Sequence, residues 1–186
     1  ACAAPGGKST HMAQYLTSGH ITALDLYDHK LDLINQNAER QHVADKITTQ
    51  KADATMIFEE FGSDKFDRIL VDAPCSGIGL IRRKPDIRYR KESSDFVDLQ
   101  KIQLEILNSA SKSLKKSGIM VYSTCTIFDE ENFDVVRQFL ENHPNFEQVE
   151  ISSDKADMIK EGCIFITPEM YHTDGFFIAK FKKIGE

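Results

Sequence analysis

The chain has 186 residues, of which 41% are hydrophobic and 28% are charged. This is the composition of an ordinary globular domain, and one domain of this size buries a core without disulfide or metal staples. No apolar run reaches the roughly 18 residues that a membrane span requires. The formal net charge of -6 argues against a protein that coats nucleic acid non-specifically, so any contact with nucleic acid must be local.

The cysteines and the start of the chain carry further expectations. The four cysteines lie far apart with no C-x-x-C pair, at Cys2, Cys75, Cys125 and Cys163. With no secretory signal visible, this spacing favours reduced thiols in a cytoplasmic monomer over a zinc site or a disulfide framework, and we expect no metal. The chain opens on a turn-like segment without an initiator methionine, so we expect a fragment of a longer protein.

The first half of the chain alternates between helices and short strands. Apolar residues at helical spacing predict one helix over residues 7–16, which Gly19 ends, and a second helix that carries Leu31, Ile34 and Ala38. Buried strands are predicted over residues 21–26, 46–50 and 66–71. The last strand runs into a loop with proline and glycine, which end it.

A long helix follows in the second half. Ser94 or Asp95 can cap it, and Gly118 is predicted to end it. Its core-facing side is predicted to carry Phe96, Leu99, Ile102, Ile106, Leu107 and Ala110.

The last part of the chain predicts a strand, a helix and a terminal group of strands. The strand covers residues 119–122, and Asp129 is predicted to cap the helix, with Glu130 and Glu131 in its first turn. Terminal strands are predicted over residues 146–151, 163–166 and 176–181. The whole pattern predicts an α/β fold with a doubly wound, mostly parallel sheet, in which ligands bind beyond the carboxyl ends of the strands.

The loop at the start of the chain contains two adjacent glycines. Its glycine-lysine-serine sequence at residues 7–9 is similar to the end of a phosphate-binding P-loop, but the glycine required five residues earlier is replaced by Cys2. The dinucleotide fingerprint is also absent, because no third glycine follows at the required offset. Neither ligand class is therefore predicted.

The same loop offers free amides at a helix N-terminus, where a carboxylate binds well. Asp25, after the next strand, can accept hydrogen bonds from two ribose hydroxyls, and Asp53, one strand further on, can accept one from an adenine amino group. A ligand with a carboxylate, a ribose and an adenine but no phosphate is S-adenosylmethionine. The alternative is that Gly6 and Gly7 only permit a tight turn and that both aspartates are solvated.

Two cysteines follow strands at the predicted ligand-binding edge. Cys125 lies a few residues before a predicted helix N-terminus, a setting that lowers the pKa of a thiol, and Thr124 can position it. Cys75 shares a short loop with Asp72, which can hydrogen-bond the amino group and ring nitrogen of a base. Methylation of cytosine at carbon 5 requires a thiolate, which must first add to carbon 6. The alternatives are a small buried hydrophobe, as we expect of Cys163, and a carboxylate that caps its own turn.

Three motifs carry a resemblance to a known family, at residues 2–8 (Cys-Ala-Ala-Pro-Gly-Gly-Lys), 72–77 (Asp-Ala-Pro-Cys-Ser-Gly) and 123–126 (Ser-Thr-Cys-Thr). The chain resembles the Sun (RsmB) branch of the NOL1/NOP2/Sun family of RNA 5-methylcytosine methyltransferases. The resemblance implies a Rossmann-like sheet of the seven-stranded type, attack by Cys125, release helped by Cys75, and a cytosine in 16S ribosomal RNA as the substrate. It also implies that S-adenosylmethionine is bound by Cys2, Ala3, Ala4, Pro5, Gly6, Gly7, Lys8, Asp25, Asp53 and Asp72.

The resemblance also bears on what surrounds this domain. It implies that residues 1–186 are the catalytic domain, without the family's first strand and N-terminal RNA-binding domain. A local basic segment is predicted to grip RNA phosphates, through Arg82, Arg83, Lys84, Arg88, Arg90 and Lys91. Its alternative is a solvated, salt-bridged loop.

Two rival functions stay open on the sequence. One is an RNA-binding module that keeps the fold without catalysis. The other is a thiol redox protein with a disulfide between Cys75 and Cys125, against which the cofactor loop argues.

Overall fold

Strands and helices alternate along the chain, as the sequence predicts. The computed structural model describes residues 1–89 and 93–185, and their side chains except those of residues 88, 89 and 93–95. The helices are α1 (Gly7–Tyr15), α2 (Asp28–Arg40), α3 (Ile57–Phe61), α4 (Ser93–Ser113) and α5 (Phe133–Asn142). The strands are β1 (Ile21–Asp25), β2 (Ile47–Lys51), β3 (Phe66–Asp72), β4 (Leu114–Thr124), β5 (Phe146–Gln148), β6 (Ile159–Lys160), β7 (Cys163–Ile166) and β8 (Phe176–Lys183).

The strands form a parallel part and an antiparallel part. β1 pairs in parallel with β2, and β3 pairs in parallel with β4. From β4 the larger sheet continues antiparallel through β8, β7 and β6, and β5 also pairs with β8. The alternating order and the parallel pairs confirm the predicted α/β class. No helix in the described part of the chain is long and apolar enough to cross a bilayer.

Helix α4 packs on β3, β4, α3 and α5 through its second half. Ile106, Leu107 and Ala110 are at most 2% exposed, as predicted. The prediction was wrong for Ile102, which is 40% exposed, because the inward position on that turn belongs to Gln103. This glutamine is fully buried and donates to backbone and side-chain oxygens near the candidate site.

Four phenylalanines fix α5 against β8. Phe133 stacks edge-on against Phe177, and Phe139 packs on Phe181, with 5.0 Å between the ring centroids of each pair. All four are buried, and burial of each contributes up to about 3 kcal/mol to the free energy of unfolding. The packing therefore also holds the residues that immediately precede α5.

Two predicted helix boundaries were wrong. Gly118 lies inside β4 and does not end α4, because α4 ends at Ser113 and the next residue already pairs with Phe66 of β3. A register shift in this pairing accommodates the residues around Gly118.

The second wrong boundary concerns α5. Asp129, Glu130 and Glu131 form a separate 3₁₀ turn, and the residue at the N-cap of α5 is Asn132. Asp129 is therefore not the cap, and Glu131 is fully buried instead of facing solvent in a first helical turn.

A cleft of about 1110 Å³ separates β1 from β3. The first residues of the chain cross this cleft at the carboxyl ends of the two strands. The Ala1 amino group donates to the Leu70 carbonyl of β3 at 2.6 Å, and the Ala3 amide donates to the Leu24 carbonyl of β1 at 2.8 Å. Residues 1–3 thus connect the two sheets at their carboxyl ends.

Candidate active site

The two cysteines of the predicted site lie side by side. β3 and β4 are neighbouring parallel strands with Asp72 opposite Ser123, so the loops that follow them leave the sheet together. The Cys75 and Cys125 sulfur atoms are 3.1 Å apart, and the Cys125 amide donates to the Cys75 sulfur at 3.3 Å. The strand pairing therefore produces the closeness that the two motifs predicted.

The hydrogen bond between the two sulfurs separates their acidities. It lowers the pKa of Cys125, against the opposing effects of burial and of the Asp72 charge. The same bond and burial raise the pKa of Cys75 far above that of an ordinary thiol. Of the two thiols, Cys125 is therefore the one whose pKa favours the thiolate. The helix N-terminus invoked from the sequence is not the main cause, since α5 begins only at Phe133.

The remaining cysteines have different surroundings. Cys163 is 1% exposed, as predicted for a buried structural cysteine, and burial raises its pKa to about 11. Burial also raises the pKa of Cys2, which packs against the main core from the cofactor loop.

A buried acidic residue holds the Cys75 loop. The Glu131 carboxylate accepts from the Ser76 amide at 2.8 Å through Oε2, and the same oxygen accepts from the Gln103 amide at 3.1 Å. Gln103 also donates to the Pro74 carbonyl at 2.9 Å. The residues on both sides of Cys75 are thus hydrogen-bonded to Glu131 or to its partner.

The next residue along the chain holds the Cys125 loop. The Asn132 side chain accepts from the Thr124 hydroxyl at 2.5 Å and donates to the Thr126 carbonyl at 3.1 Å. The Ser76 hydroxyl donates to the Thr126 hydroxyl at 2.8 Å, which links the two loops directly. The predicted contribution of Thr124 is therefore made through Asn132, which sequence reasoning missed.

Two glycines close the space beneath Cys125. The Gly79 amide donates to the Cys125 carbonyl at 3.0 Å, and the Gly175 amide donates to the Gly79 carbonyl at 2.8 Å. A Cβ on Gly79 would lie 2.4 Å from the Gly175 oxygen and 2.7 Å from the Cys125 oxygen. Only glycine fits at this position, and nothing in the motifs had singled it out.

The glycine loop forms an open helix N-terminus. Gly6 is the N-cap of α1 with φ 101°, and a Cβ there would lie 3.0 Å from the Ile34 Cα of α2. No side chain caps α1, and its first turn has no acidic residue. The first amides of α1 are therefore available to an anionic ligand, as predicted.

Asp25 braces this loop from the end of β1. It is 5% exposed, and its carboxylate accepts from the Ala4 amide at 3.0 Å and from the Leu26 amide at 2.9 Å. Lys30 lies 3.5 Å away. Because a carboxylate has about four acceptor positions, these bonds leave capacity for ligand hydroxyls.

Asp53 shows the alternative role considered for it. It is exposed after β2, and its Oδ1 accepts from the Thr55 amide at 2.9 Å and from the Thr55 hydroxyl at 2.7 Å. It therefore caps a local turn, and contact with an adenine stays a prediction.

Asp72 connects the glycine loop to the cysteine pair. Its Oδ2 accepts from the Lys8 ammonium at 2.7 Å, and its Oδ1 accepts from the Ser123 hydroxyl at 2.8 Å. Lys8 also lies over the Phe176 ring, 5.0 Å from its centroid. Residues from the first and second predicted motifs thus meet at one ion pair.

The described part of the basic segment is exposed and lies near the cysteine pair. Arg82, Arg83 and Lys84 are exposed, but Arg83 forms an ion pair with Asp174, as in the salt-bridged alternative. Ile87, in the following 3₁₀ turn, lies close to Cys125: a Cβ built on Gly77 would be 3.8 Å from the Ile87 Cδ1 and 3.9 Å from the Cys125 sulfur. The Arg88 side chain, Arg90 and Lys91 lie outside the described residues. In the described part of the chain, no cluster of His, Cys, Asp and Glu is suited to a metal ion.

A Rossmann-like α/β sheet, an open glycine loop, and carboxylates and thiols at the strand ends are the features of the class of methyltransferases. The profile of the 16S rRNA methyltransferase RsmB/F family matches residues 1–182. The chain belongs to this family, which confirms the resemblance seen in its motifs.

Individual relatives agree with this assignment. The probable ribosomal RNA small subunit methyltransferase B of Bacillus subtilis is 44% identical over 192 residues, which cover 100% of this chain and 42% of the relative. The methyltransferase B of Yersinia enterocolitica is 36% identical over 187 residues, covering 98% and 41%. The crystal structure of NSun6 from Pyrococcus horikoshii with SFG superposes with a TM-score of 0.85 at 32% identity, covering 99% and 47%. The chain thus spans less than half the length of each.

Proposed function

We propose that this chain is the catalytic domain of an RNA cytosine-5 methyltransferase that uses S-adenosylmethionine and forms a covalent adduct with its substrate through Cys125. The observation that carries the proposal is the pair of sulfurs 3.1 Å apart, and the lowered pKa of Cys125 supports it. Cytosine-5 chemistry needs one thiolate for attack and a second group for release, and this pair supplies both.

The attack begins at Cys125. Its sulfur forms a bond to carbon 6 of the cytosine, and the electron pair of the 5,6 double bond moves to carbon 5. Bound S-adenosylmethionine supplies the methyl group that carbon 5 takes up. Loss of the proton on carbon 5 then restores the double bond and expels the Cys125 thiolate.

Cys75 acts in the release step. Its pKa is raised first by the hydrogen bond to Cys125, then by burial and by the Cys125 charge. When Cys125 is bonded to the base, both effects of the neighbouring thiolate disappear, so the pKa of Cys75 falls. After the adduct has formed, Cys75 can give up its own proton to solvent, and the resulting thiolate accepts the proton that leaves carbon 5.

The cofactor would lie over the glycine loop. The open N-terminus of α1 suits its carboxylate, and the buried Asp25 carboxylate suits its ribose hydroxyls. A structural relative was solved with SFG, an analogue of S-adenosylmethionine. The ion pair between Lys8 and Asp72 joins this loop to the cysteine loops, and Asp72 would orient the amino group and ring nitrogen of the base.

The names of the relatives support a substrate in small-subunit ribosomal RNA. Arg82 and Lys84 are exposed beside the cysteine loops and would contact its phosphates. Replacing Lys84 with alanine should weaken RNA binding and reduce the salt dependence of the binding constant by about one ion.

The cleft between β1 and β3 supports a proposal about the rest of the domain. Its walls are two unpaired strand edges, and residues 1–3 already bond to both. We propose that one strand runs between β1 and β3, parallel to both and leading into Ala1. Adding such a strand should raise the Tm, whereas an added polar segment of equal length should not.

Substitution of each cysteine separates the two roles. Cys125→Ala should abolish methyl transfer to ribosomal RNA that lacks the modification. Cys75→Ala should still attack but release slowly, so that a denaturation-resistant adduct of protein and RNA accumulates. Cys163→Ala serves as the control, because that thiol lies outside the pair.

The outcomes also decide between the rival functions. If Cys125→Ala retains methyl transfer, or if Cys75→Ala accumulates adduct that does not require Cys125, the covalent mechanism is wrong. RNA binding without incorporation of labelled methyl by the unaltered protein would instead support the non-catalytic module.

A further inference from the structure

The dipeptide Glu131–Asn132 bonds to both cysteine loops. Glu131 accepts from the amide of Ser76, the residue after Cys75, while Asn132 bonds to the residues on either side of Cys125. Both residues are completely buried. Two loops from different strands thus take their relative position from two consecutive residues.

The dipeptide is itself fixed from behind. The Tyr122 hydroxyl donates to the Glu131 carbonyl at 2.6 Å, and Tyr122 is fully buried within β4. Phe133, the next residue along the chain, is locked among buried aromatic rings. The backbone from which the Glu131 carboxylate extends is therefore held in place, and the Gln103 amide holds the carboxylate itself.

We propose that Glu131 is a positioning residue for the methyl-transfer reaction, and that its carboxylate sets the approach of the Cys75 thiol to the Cys125 sulfur. The Glu131 carboxylate bonds to neither sulfur. It holds the Ser76 amide, and through that amide it fixes the position of Cys75, the residue before Ser76. This inference rests on the proposed function, since it assumes that Cys125 is the nucleophile.

One detail of the carboxylate sharpens the test. Its Oε1 is buried without a hydrogen-bond partner in the described part of the chain, and the same holds for Oε1 of the neighbouring Gln103. Glu131→Gln would keep an oxygen for the Ser76 amide and would put an amide group in the place of the unpaired Oε1. Alanine would remove the acceptor, and aspartate would withdraw it by one methylene.

The experiment compares Glu131→Ala, Glu131→Asp and Glu131→Gln in the whole protein. We expect kcat for methyl transfer to fall by up to about 100-fold in the alanine and aspartate variants, because displacement of a reacting group by 1 Å has that effect. The KM for S-adenosylmethionine should hold, since Glu131 is not part of the glycine loop. Glu131→Gln should recover most of the lost kcat. The exposed neighbour Glu130, changed to alanine, is the matched control.

A second measurement detects positioning rather than stability. The rate at which iodoacetamide alkylates Cys125, mapped by peptide mass spectrometry across pH, reports the pKa of this thiol. Loss of the Cys75 hydrogen bond should move the profile to higher pH in Glu131→Ala and Glu131→Asp, and Glu131→Gln should restore it. Glu131→Asp keeps a buried carboxylate, so the pH profile of Cys125 alkylation can be measured on this variant if Glu131→Ala does not fold.

The outcomes are distinguishable. A folded aspartate or alanine variant with the wild-type alkylation profile and kcat overturns the positioning role. A glutamine variant as impaired as alanine overturns the claim that the bond to Ser76 is what matters. Methyl transfer by Cys125→Ala, run in parallel, would overturn the proposed function itself.

Discussion

Gly79→Ala is predicted to damage the site more than the fold. The new Cβ would lie 2.4 Å from the Gly175 oxygen, so the two segments must separate by at least about 0.6 Å to reach 3.0 Å, below which real Cβ contacts are essentially absent. Overpacking of this kind costs about 1–3 kcal/mol of the free energy of unfolding. The same Cβ would lie 2.7 Å from the Cys125 carbonyl oxygen, so the Cys125 backbone must shift as well, and kcat should fall on the order of 10-fold.

The assay pairs urea unfolding with methyl transfer and with the alkylation rate of Cys125 in the folded fraction. Gly118→Ala is the matched control, because its Cβ would lie 2.7 Å from the Lys115 oxygen but at the other end of β4. The control should lose stability while its folded molecules keep the wild-type alkylation rate. If folded Gly79→Ala also keeps that rate and full kcat, the steric reasoning is refuted.

Three further predictions use the cysteines and the glycine loop. The hydrogen bond with Cys75 lowers the pKa of Cys125, whereas burial raises the pKa of Cys163 to about 11. The alkylation rate of Cys125 should therefore level off at a lower pH than that of Cys163, and Cys75→Ala should shift the Cys125 profile to higher pH. A mild thiol oxidant such as diamide should join Cys75 to Cys125, whose sulfurs are 3.1 Å apart; disulfide mapping that finds a bond to Cys163 would contradict the geometry. Gly6→Ala should weaken binding of S-adenosylmethionine in calorimetry by about tenfold or more, because φ 101° and the 3.0 Å approach to Ile34 strain any side chain; unchanged affinity would show that the loop tolerates the change.

The strands of this fold could be predicted where apolar residues form an uninterrupted run. β7 has its predicted bounds because it is a short apolar segment. β3 is one residue longer than predicted, and its apolar residues 69–71 lead into a loop with proline and glycine. β5 is shorter than predicted because its bounds depend on pairing with the distant strand β8. β6 has only two residues, which pair with the adjacent β7, and the 3₁₀ turn before α5 depends on the burial of Glu131. Such tertiary effects leave no periodic signal in the local sequence.

The candidate site was predictable only as far as its motifs extend. Cys75, Cys125 and Asp72 lie in polar, turn-forming segments after strands, so their common edge followed from the order of elements. Gln103 and Glu131 were missed because a polar residue on a predicted helix is ordinarily assigned to its solvent face. One signal was present: Gln103 lies three and four residues before the buried Ile106 and Leu107, so it falls on the apolar face of α4.

The cleft between the two sheets has a mechanical consequence for the reaction. The glycine loop is braced by β1, whereas both thiols extend from β3 and β4, so in the proposed function the methyl donor and the Cys125 sulfur would lie on opposite walls of this seam. Any widening of that seam adds directly to the distance that the methyl group must travel. A bulky side chain deep in the cleft, in place of Ala23 or Ile69 on its facing walls, should therefore slow turnover from a place remote from either sulfur.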